Sequence, residues 1–182
     1  MRLALIALAL SAGGAWAQAP PAKPDTSMPG MTMPAAPATP PSPPKETVIV
    51  GPTGKTLVIT PKLLADLDRA EATMINHSVP HTYEGVRLTE ILRLVDAPTG
   101  ARIHADADRD YLVVTGGDGF RAIFSLAETD SSVQHHAVIL ADHMDGAPLI
   151  PHDAPYRIVV DGDQKPARSV YAITRIDVKV LP

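Results

Sequence analysis

Proline placement decides how much of this chain can fold. Pro20, Pro21, Pro24, Pro29, Pro34, Pro37, Pro40, Pro41, Pro43 and Pro44 crowd residues 18–45, with Ala, Thr and Ser between them. Proline fixes φ and carries no N–H, and such a stretch has too little apolar surface to offset the entropy of ordering it. The composition predicts an extended, mobile linker. Folding is then left to residues 46–182, a length that suits one domain.

The segment before the linker has the three regions of an export signal. Arg2 is its early positive charge, Leu3 to Leu10 is an apolar run, and Ala15-Trp16-Ala17 is a small-x-small cleavage site that would start the mature chain at Gln18. The run is too short to cross a bilayer. A single arginine rather than a twin pair precedes it, which points to a Sec-type route and a periplasmic or secreted protein with no membrane span after signal removal. A chain exported unfolded would not carry a cofactor inserted in the cytoplasm.

Hydrophobic residues make up 45% of the chain, enough for a core, and the net charge of -4 offers no basic footprint for nucleic acid or an anionic membrane. There is no cysteine. An oxidising compartment would have nothing to bridge, so stability must come from packing.

Short strands alternate with short helical turns across residues 46–182. Glu46 to Val50 and Lys55 to Thr60 are rich in β-branched residues, and Gly51-Pro52-Thr53-Gly54 between them predicts a hairpin. Thr60 is placed as an N-cap and Pro61 as the first residue of a helix with Leu63, Leu64 and Leu67 as its apolar stripe. Ala70 to Ile75 is a candidate strand. Asn76 to His81 is turn-like, with Pro80 as a breaker. Thr89 is expected to cap a second helix carrying Ile91, Leu92 and Val95.

Tyr111 to Thr115 and Phe120 to Phe124 flank the turn Gly116-Gly117-Asp118-Gly119. Ser125-Leu126-Ala127-Glu128 has capping-box spacing. Ala137 to Ala141 is continuously apolar and predicts a strand buried on both faces. Arg157 to Val160 is another strand. The last strand alternates, with Val170, Ala172, Ile176, Val178 and Val180 on one face and Arg175, Asp177 and Lys179 on the other. Together these elements give an α+β domain built on a mixed sheet with short helices.

The order of these segments resembles the sulfite-oxidase-like, oxidoreductase molybdopterin-binding domain family. Tyr83-Glu84-Gly85-Val86-Arg87-Leu88 followed by Ile91-Leu92 is similar to the family's glycine-leucine segment before a short helix. Gly117-Asp118-Gly119-Phe120 followed by Ile123-Phe124-Ser125-Leu126 is similar to its hairpin. Leu140-Ala141, Asp145 to Leu149, Ala154 to Val159 and Ala167-Arg168-Ser169-Val170 follow its closing half in order and spacing. The resemblance covers about a hundred residues, Tyr83 to Leu181, and implies the sulfite-oxidase-like molybdopterin-binding fold.

Two departures accompany it. The family's molybdenum-binding cysteine precedes the glycine-leucine segment, and that region here is Ala72-Thr73-Met74-Ile75. Neither a threonine hydroxyl nor a neutral thioether supplies the anionic sulfur of such a centre. The family's Gly-Pro is Ala154-Pro155 here.

The resemblance implies Arg157, Arg168 and Thr73 as cofactor-binding candidates, because a guanidinium fork matches phosphate oxygens. Either arginine can instead pair with Asp161, Asp163 or Asp177. For a metal ion, His77, His81 and Met74 lie nearest the family's metal position. His135-His136 and His143-Met144 flank the buried strand, but neighbours on a strand face opposite ways. Met28, Met31 and Met33 in the linker are soft donors suited to Cu(I), or else plain spacer residues. Asp118 suits a turn-stabilising role better than a catalytic one.

No catalytic residue is assigned, and three functions stay open. The chain is an exported molybdopterin-domain-like protein without molybdenum redox catalysis, whose old cofactor cleft takes another small ligand or a periplasmic protein. Alternatively it is a molybdopterin-dependent oxidoreductase with an atypical ligand set, or a periplasmic copper-binding protein. Molybdopterin and copper are the two candidate cofactors.

Overall fold

A computed structural model describes residues 46–104 and 109–181. The expected signal peptide (1–17), the linker (18–45) and the Met28, Met31 and Met33 cluster lie outside the described residues. No helix among the described residues is long and apolar enough to cross a membrane.

Strands β1 (Thr47–Val50) and β2 (Thr56–Ile59) form the expected hairpin, and α1 (Pro61–Ala65) follows. Thr60 caps α1, its hydroxyl accepting from the Leu63 amide at 3.2 Å. Strand β3 (Arg69–Asn76) pairs antiparallel with β4 (Val79–Arg87), which runs straight into α2 (Leu88–Arg93). Strands β5 (Tyr111–Gly116), β6 (Arg121–Ser125), β7 (Val138–Met144), β8 (Ala147–Pro148), β9 (Arg157–Val160) and β10 (Ile173–Lys179) complete the domain.

The strands form two five-stranded sheets. One runs β2-β1-β10-β5-β6, with β1 and β10 parallel and its other pairs antiparallel; the other runs β3-β4-β7-β8 with β9 also on β7. The first is the mixed sheet foreseen, and the second is antiparallel. The main core lies between them. Ile49, Leu112, Val114, Phe124, Ile176 and Val178 from the mixed sheet meet Val86, Leu140, Ile158 and Val160 from the other, with Leu64 of α1 and Leu88, Ile91 and Leu92 of α2. The opposite face of the antiparallel sheet carries a smaller cluster of Ala72, Met74, Tyr83, Ile139, Ala141 and Val159, closed by Leu149.

Three local expectations are corrected. Pro80 does not break the chain. The turn contracts to His77 and Ser78, whose φ of 49° and 66° make a tight two-residue loop, and Pro80 pairs with Ile75 inside the hairpin. The Ile75 amide points away from β4 to the Asp163 carbonyl at 2.9 Å, so Ile75 and Pro80 form a non-hydrogen-bonded pair. The missing N–H therefore faces the side where β4 has no neighbour, because β7 joins it only from Tyr83 onward.

Thr89 is not a cap. Pairing with β7 holds β4 extended through Arg87, which becomes the N-cap, and Thr89 is already helical with its hydroxyl donating to the Thr129 carbonyl at 2.6 Å. The last strand starts at Ile173 rather than Val170. A bulge between Ile173 and Arg175 resets its alternation, and Ala172 has a φ of 46°. Ile176 and Val178 face the core as expected, whereas Val180 is exposed beyond the strand.

Gly85 marks the closest approach of β4 to β7. A Cβ there would sit 2.1 Å from the Leu140 carbonyl oxygen and 2.6 Å from the Ala141 Cα, both backbone atoms that cannot swing aside. Gly85→Ala should cost roughly 2 kcal/mol or more through overpacking. Gly146→Ala, in open space at a φ of 77°, should cost only about 1 kcal/mol from backbone strain. Urea denaturation of the two variants side by side checks the ranking.

Candidate functional site

Alternation along β9 explains the site. Ile158 and Val160 point into the main core, so Arg157 and Val159 fall on the other face, beside Ala141 and Ile139 in register. A guanidinium there is 5% exposed and must be neutralised. Arg157 Nη1 donates to Asp153 Oδ2 at 2.5 Å and Nε donates to Ser169 Oγ at 2.7 Å. Ser169 Oγ in turn donates to the Ile158 carbonyl at 2.5 Å. The guanidinium carbon lies 5.7 Å from the Tyr83 ring centroid, within cation–π range. Burial pushes the Tyr83 phenol up, with Arg157 pulling the other way, and its hydroxyl has no hydrogen-bond partner among the described residues.

Asp153 organises the next layer. Its Oδ1 pairs with His152 Nδ1 at 2.8 Å, and its carbonyl accepts from the Ala172 amide at 2.9 Å. The His152 ring stacks at 4.5 Å on Tyr171, whose hydroxyl donates to Asp118 Oδ2 at 2.9 Å. Asp118 also accepts from the Phe120 amide at 2.9 Å, the turn-stabilising role expected of it. Arg157, Asp153, Ser169, His152 and Tyr171 line an open cavity of about 350 Å³ together with Asn76, His77, Ile150 and Pro166.

Of the residues predicted from sequence, the structure brings Arg157 and His77 to this cavity. Thr73 sits on the neighbouring stretch of β3 as a backbone anchor. Its amide donates to Asp161 Oδ1 at 2.8 Å and its carbonyl accepts from Gly162 at 2.8 Å. Met74 faces inward, fully buried in the smaller cluster. His81 lies opposite Met74 in register, not in a loop, and its Nδ1 pairs with Asp145 Oδ2 at 2.6 Å. Among the described residues no three His, Cys, Asp or Glu side chains gather around a common point for a metal.

Arg168 stands apart, its fork bonded to Asp163 at 2.9 and 3.0 Å and its carbon 5.7 Å from the Phe124 centroid. Pairing with Asp163 was one of the expected options. Arg157 differs, since it takes Asp153 rather than Asp161, Asp163 or Asp177; Asp161 accepts from the Thr73 amide, Asp163 from Arg168 and Asp177 from Arg175 at 2.8 Å.

Sequence reasoning missed Asp153, His152, Ser169 and Tyr171. The one available signal was the four-residue spacing of Asp153 and Arg157. Ser169, adjacent to the singled-out Arg168, carries the contact instead.

A second polar network lies at an apolar groove of about 410 Å³ formed by Pro61, Leu64, Ala65, Pro155 and Tyr156. Asp142 there accepts both arms of Arg69 at 2.9 and 2.6 Å and pairs with His143 Nδ1 at 2.7 Å. Burial alone would raise the Asp142 carboxyl, but these bonds outweigh it and hold it below the usual carboxylate range.

Two outcomes follow. Asp153→Ala strands a buried guanidinium and should cost roughly 3–5 kcal/mol, whereas the Asp153→Leu, Arg157→Met double variant should recover most of that in urea denaturation. Asp142, depressed in the fold, contributes stability that is complete above its unfolded pKa of about 3.9 and fades as pH falls through the lower folded value. Urea midpoints measured from pH 7 to 3 should therefore fall less steeply below about pH 4 in Asp142→Asn than in the parent.

The comparisons concern the scaffold. The model of the oxidoreductase molybdopterin binding domain matches residues 68–180. Among solved structures, the sulfane dehydrogenase SoxCD from Paracoccus pantotrophus is similar, with a TM-score of 0.53 and 18% identity; the match covers 74% of this chain and 38% of that one. No curated protein matches the sequence.

The donor set does not fit a molybdopterin centre of the thiolate type. The 182 residues hold no cysteine, and Met74, the β3 sulfur expected from the sequence to lie nearest a metal, is a neutral thioether sealed in a core. Of the two arginines that would meet a phosphate, Arg168 has its fork on Asp163, and Arg157 has Nη1 on Asp153 and Nε on Ser169. What this chain shares with its relatives is the arrangement of strands, and on the match over residues 68–180 it belongs to the oxidoreductase molybdopterin binding domain family.

Proposed function

We propose that this protein is an exported member of the family that does not perform molybdenum redox catalysis and binds a different small ligand in the cleft beside β3. The observation that carries the reading is the pairing of Arg157 with Asp153. A phosphate-bearing cofactor is best met by a whole guanidinium fork, and here Nη1 is taken by Asp153 at 2.5 Å and Nε by Ser169 at 2.7 Å, which leaves Nη2 as a single donor, enough for one carboxylate oxygen and too little for two-point capture of a phosphate. The absent thiolate argues the same way, since no other side chain in the chain offers anionic sulfur. Fold alone does not license the chemistry of relatives.

The reading places the protein in the periplasm or outside the cell, on the strength of the Leu3 to Leu10 run and the Ala15-Trp16-Ala17 site. Copper handling has weaker support in the folded domain, because Met74 is buried and His81 is engaged by Asp145.

The test is composition. Protein made in a host that synthesises molybdenum cofactor, and isolated from that host's periplasm, should contain far less than one equivalent of molybdenum and release no pterin fluorescence on denaturation. Stoichiometric molybdenum and pterin would sink the reading in favour of an oxidoreductase with an oxygen or nitrogen ligand set.

A further inference from the structure

We infer that the cavity between His77, His152, Arg157 and Tyr171 binds a small organic acid with a flat ring, its carboxylate on the Arg157 side and its ring against the His152–Tyr171 stack. The inference rests on the reading above that the cleft takes a ligand other than molybdopterin, and it names that ligand's chemistry.

Charge sets the sign. Asp153 is the single carboxylate in the lining, and both its oxygens are used, one by His152 at 2.8 Å and one by Arg157 at 2.5 Å. It has little left to offer a cation. The positive-capable groups are less committed. Arg157 uses Nη1 and Nε, and Nη2 has no acceptor among the described residues. His152 uses Nδ1 only, and no side-chain hydrogen bond engages His77 among the described residues. An anion therefore gains donors on entry and displaces no salt bridge. A charge-assisted bond to a guanidinium that is only 5% exposed is stronger than one in open water.

Size and wall chemistry set the rest. A cavity of about 350 Å³ lies at the small-metabolite end of ligand sites and is far larger than an inorganic oxyanion needs. Its walls mix Ile150 and Pro166 with the stacked rings of His152 and Tyr171, 4.5 Å apart and tilted by 35°. An aromatic ring extends such a stack, and aliphatic rings gain only the area term. Tyr171 is fixed by its bond to Asp118, so the stacking face is set before a ligand arrives.

Isothermal titration of the full chain with benzoate tests this, with cyclohexanecarboxylate and inorganic sulfate as comparators. Saturable one-to-one binding is expected for benzoate, several-fold weaker binding for cyclohexanecarboxylate, and none for sulfate. Tyr171→Ala and His152→Ala, both at the partly exposed rim, should each weaken benzoate at least tenfold while leaving the far-UV circular dichroism spectrum unchanged. Arg157→Lys, which keeps the charge but loses the fork, should do the same.

Failure of benzoate to saturate, or an affinity untouched by all three variants, overturns the inference. That failure leaves the molybdenum and pterin analysis standing by itself. Stoichiometric cofactor in the isolated protein would instead remove the premise.

Discussion

Strand β7 is packed on both faces, and the rest of the domain is arranged around that fact. Val138 and Leu140 face the core between the sheets, while Ile139 and Ala141 face the smaller cluster. A strand of this kind needs a neighbour on each edge and cover on each side. β4 and β9 supply the edges. The mixed sheet and the two helices cover one side; β3, Tyr83 and Leu149 contribute to the other. Burying four such side chains supplies on the order of several kcal/mol of the favourable free energy, which in a chain without disulfides has no covalent substitute. The close approach of Gly85 to Leu140 follows from the same demand for contact.

The candidate site is a consequence of this packing. Since β9 must match β7 residue for residue, its alternate positions are split between the two clusters. Arg157 is the residue of β9 that opens the strand on the outer face. A buried guanidinium there is tolerated only with its charge paired, and Asp153 and Ser169 take its Nη1 and Nε from segments on either side of the strand. Asp153 in turn positions His152, and His152 stacks on Tyr171. The chemistry of the cavity is thus transmitted outward from one strand register.

Much of this architecture was legible in the sequence because it depends on local patterns. The continuous run Ala137 to Ala141 signalled burial on two faces, Thr60-Pro61 signalled a helix start, and Arg175, Asp177 and Lys179 signalled a wet face. What was not legible depended on partners distant along the chain. Pro80 reads as a breaker until β4 is known to lack a second neighbour at that point. Thr89 reads as a cap until β7 is known to hold Arg87 extended. Arg157 has several aspartates within reach in sequence, and the choice of Asp153 follows from tertiary bonds that engage Asp161, Asp163 and Asp177 elsewhere. The site residues His152, Ser169 and Tyr171 carry no motif at all, since each acts through a contact made by the tertiary fold.

The same reasoning explains how a family scaffold and the family's usual metal donor can part company. Among the described residues both core clusters are built from hydrophobic side chains. β3 is held by backbone bonds from Thr73 and Ile75 to the Asp161–Asp163 turn, so its position does not depend on what the side chains there coordinate. Met74 fills space in the smaller cluster, a role that suits an adaptable thioether. A fold held by apolar packing and backbone bonds does not need a thiolate to stand. A carboxylate such as Asp153 then stabilises an arginine that would otherwise sit buried and unpaired, and the cleft that remains is shaped by ordinary side-chain chemistry.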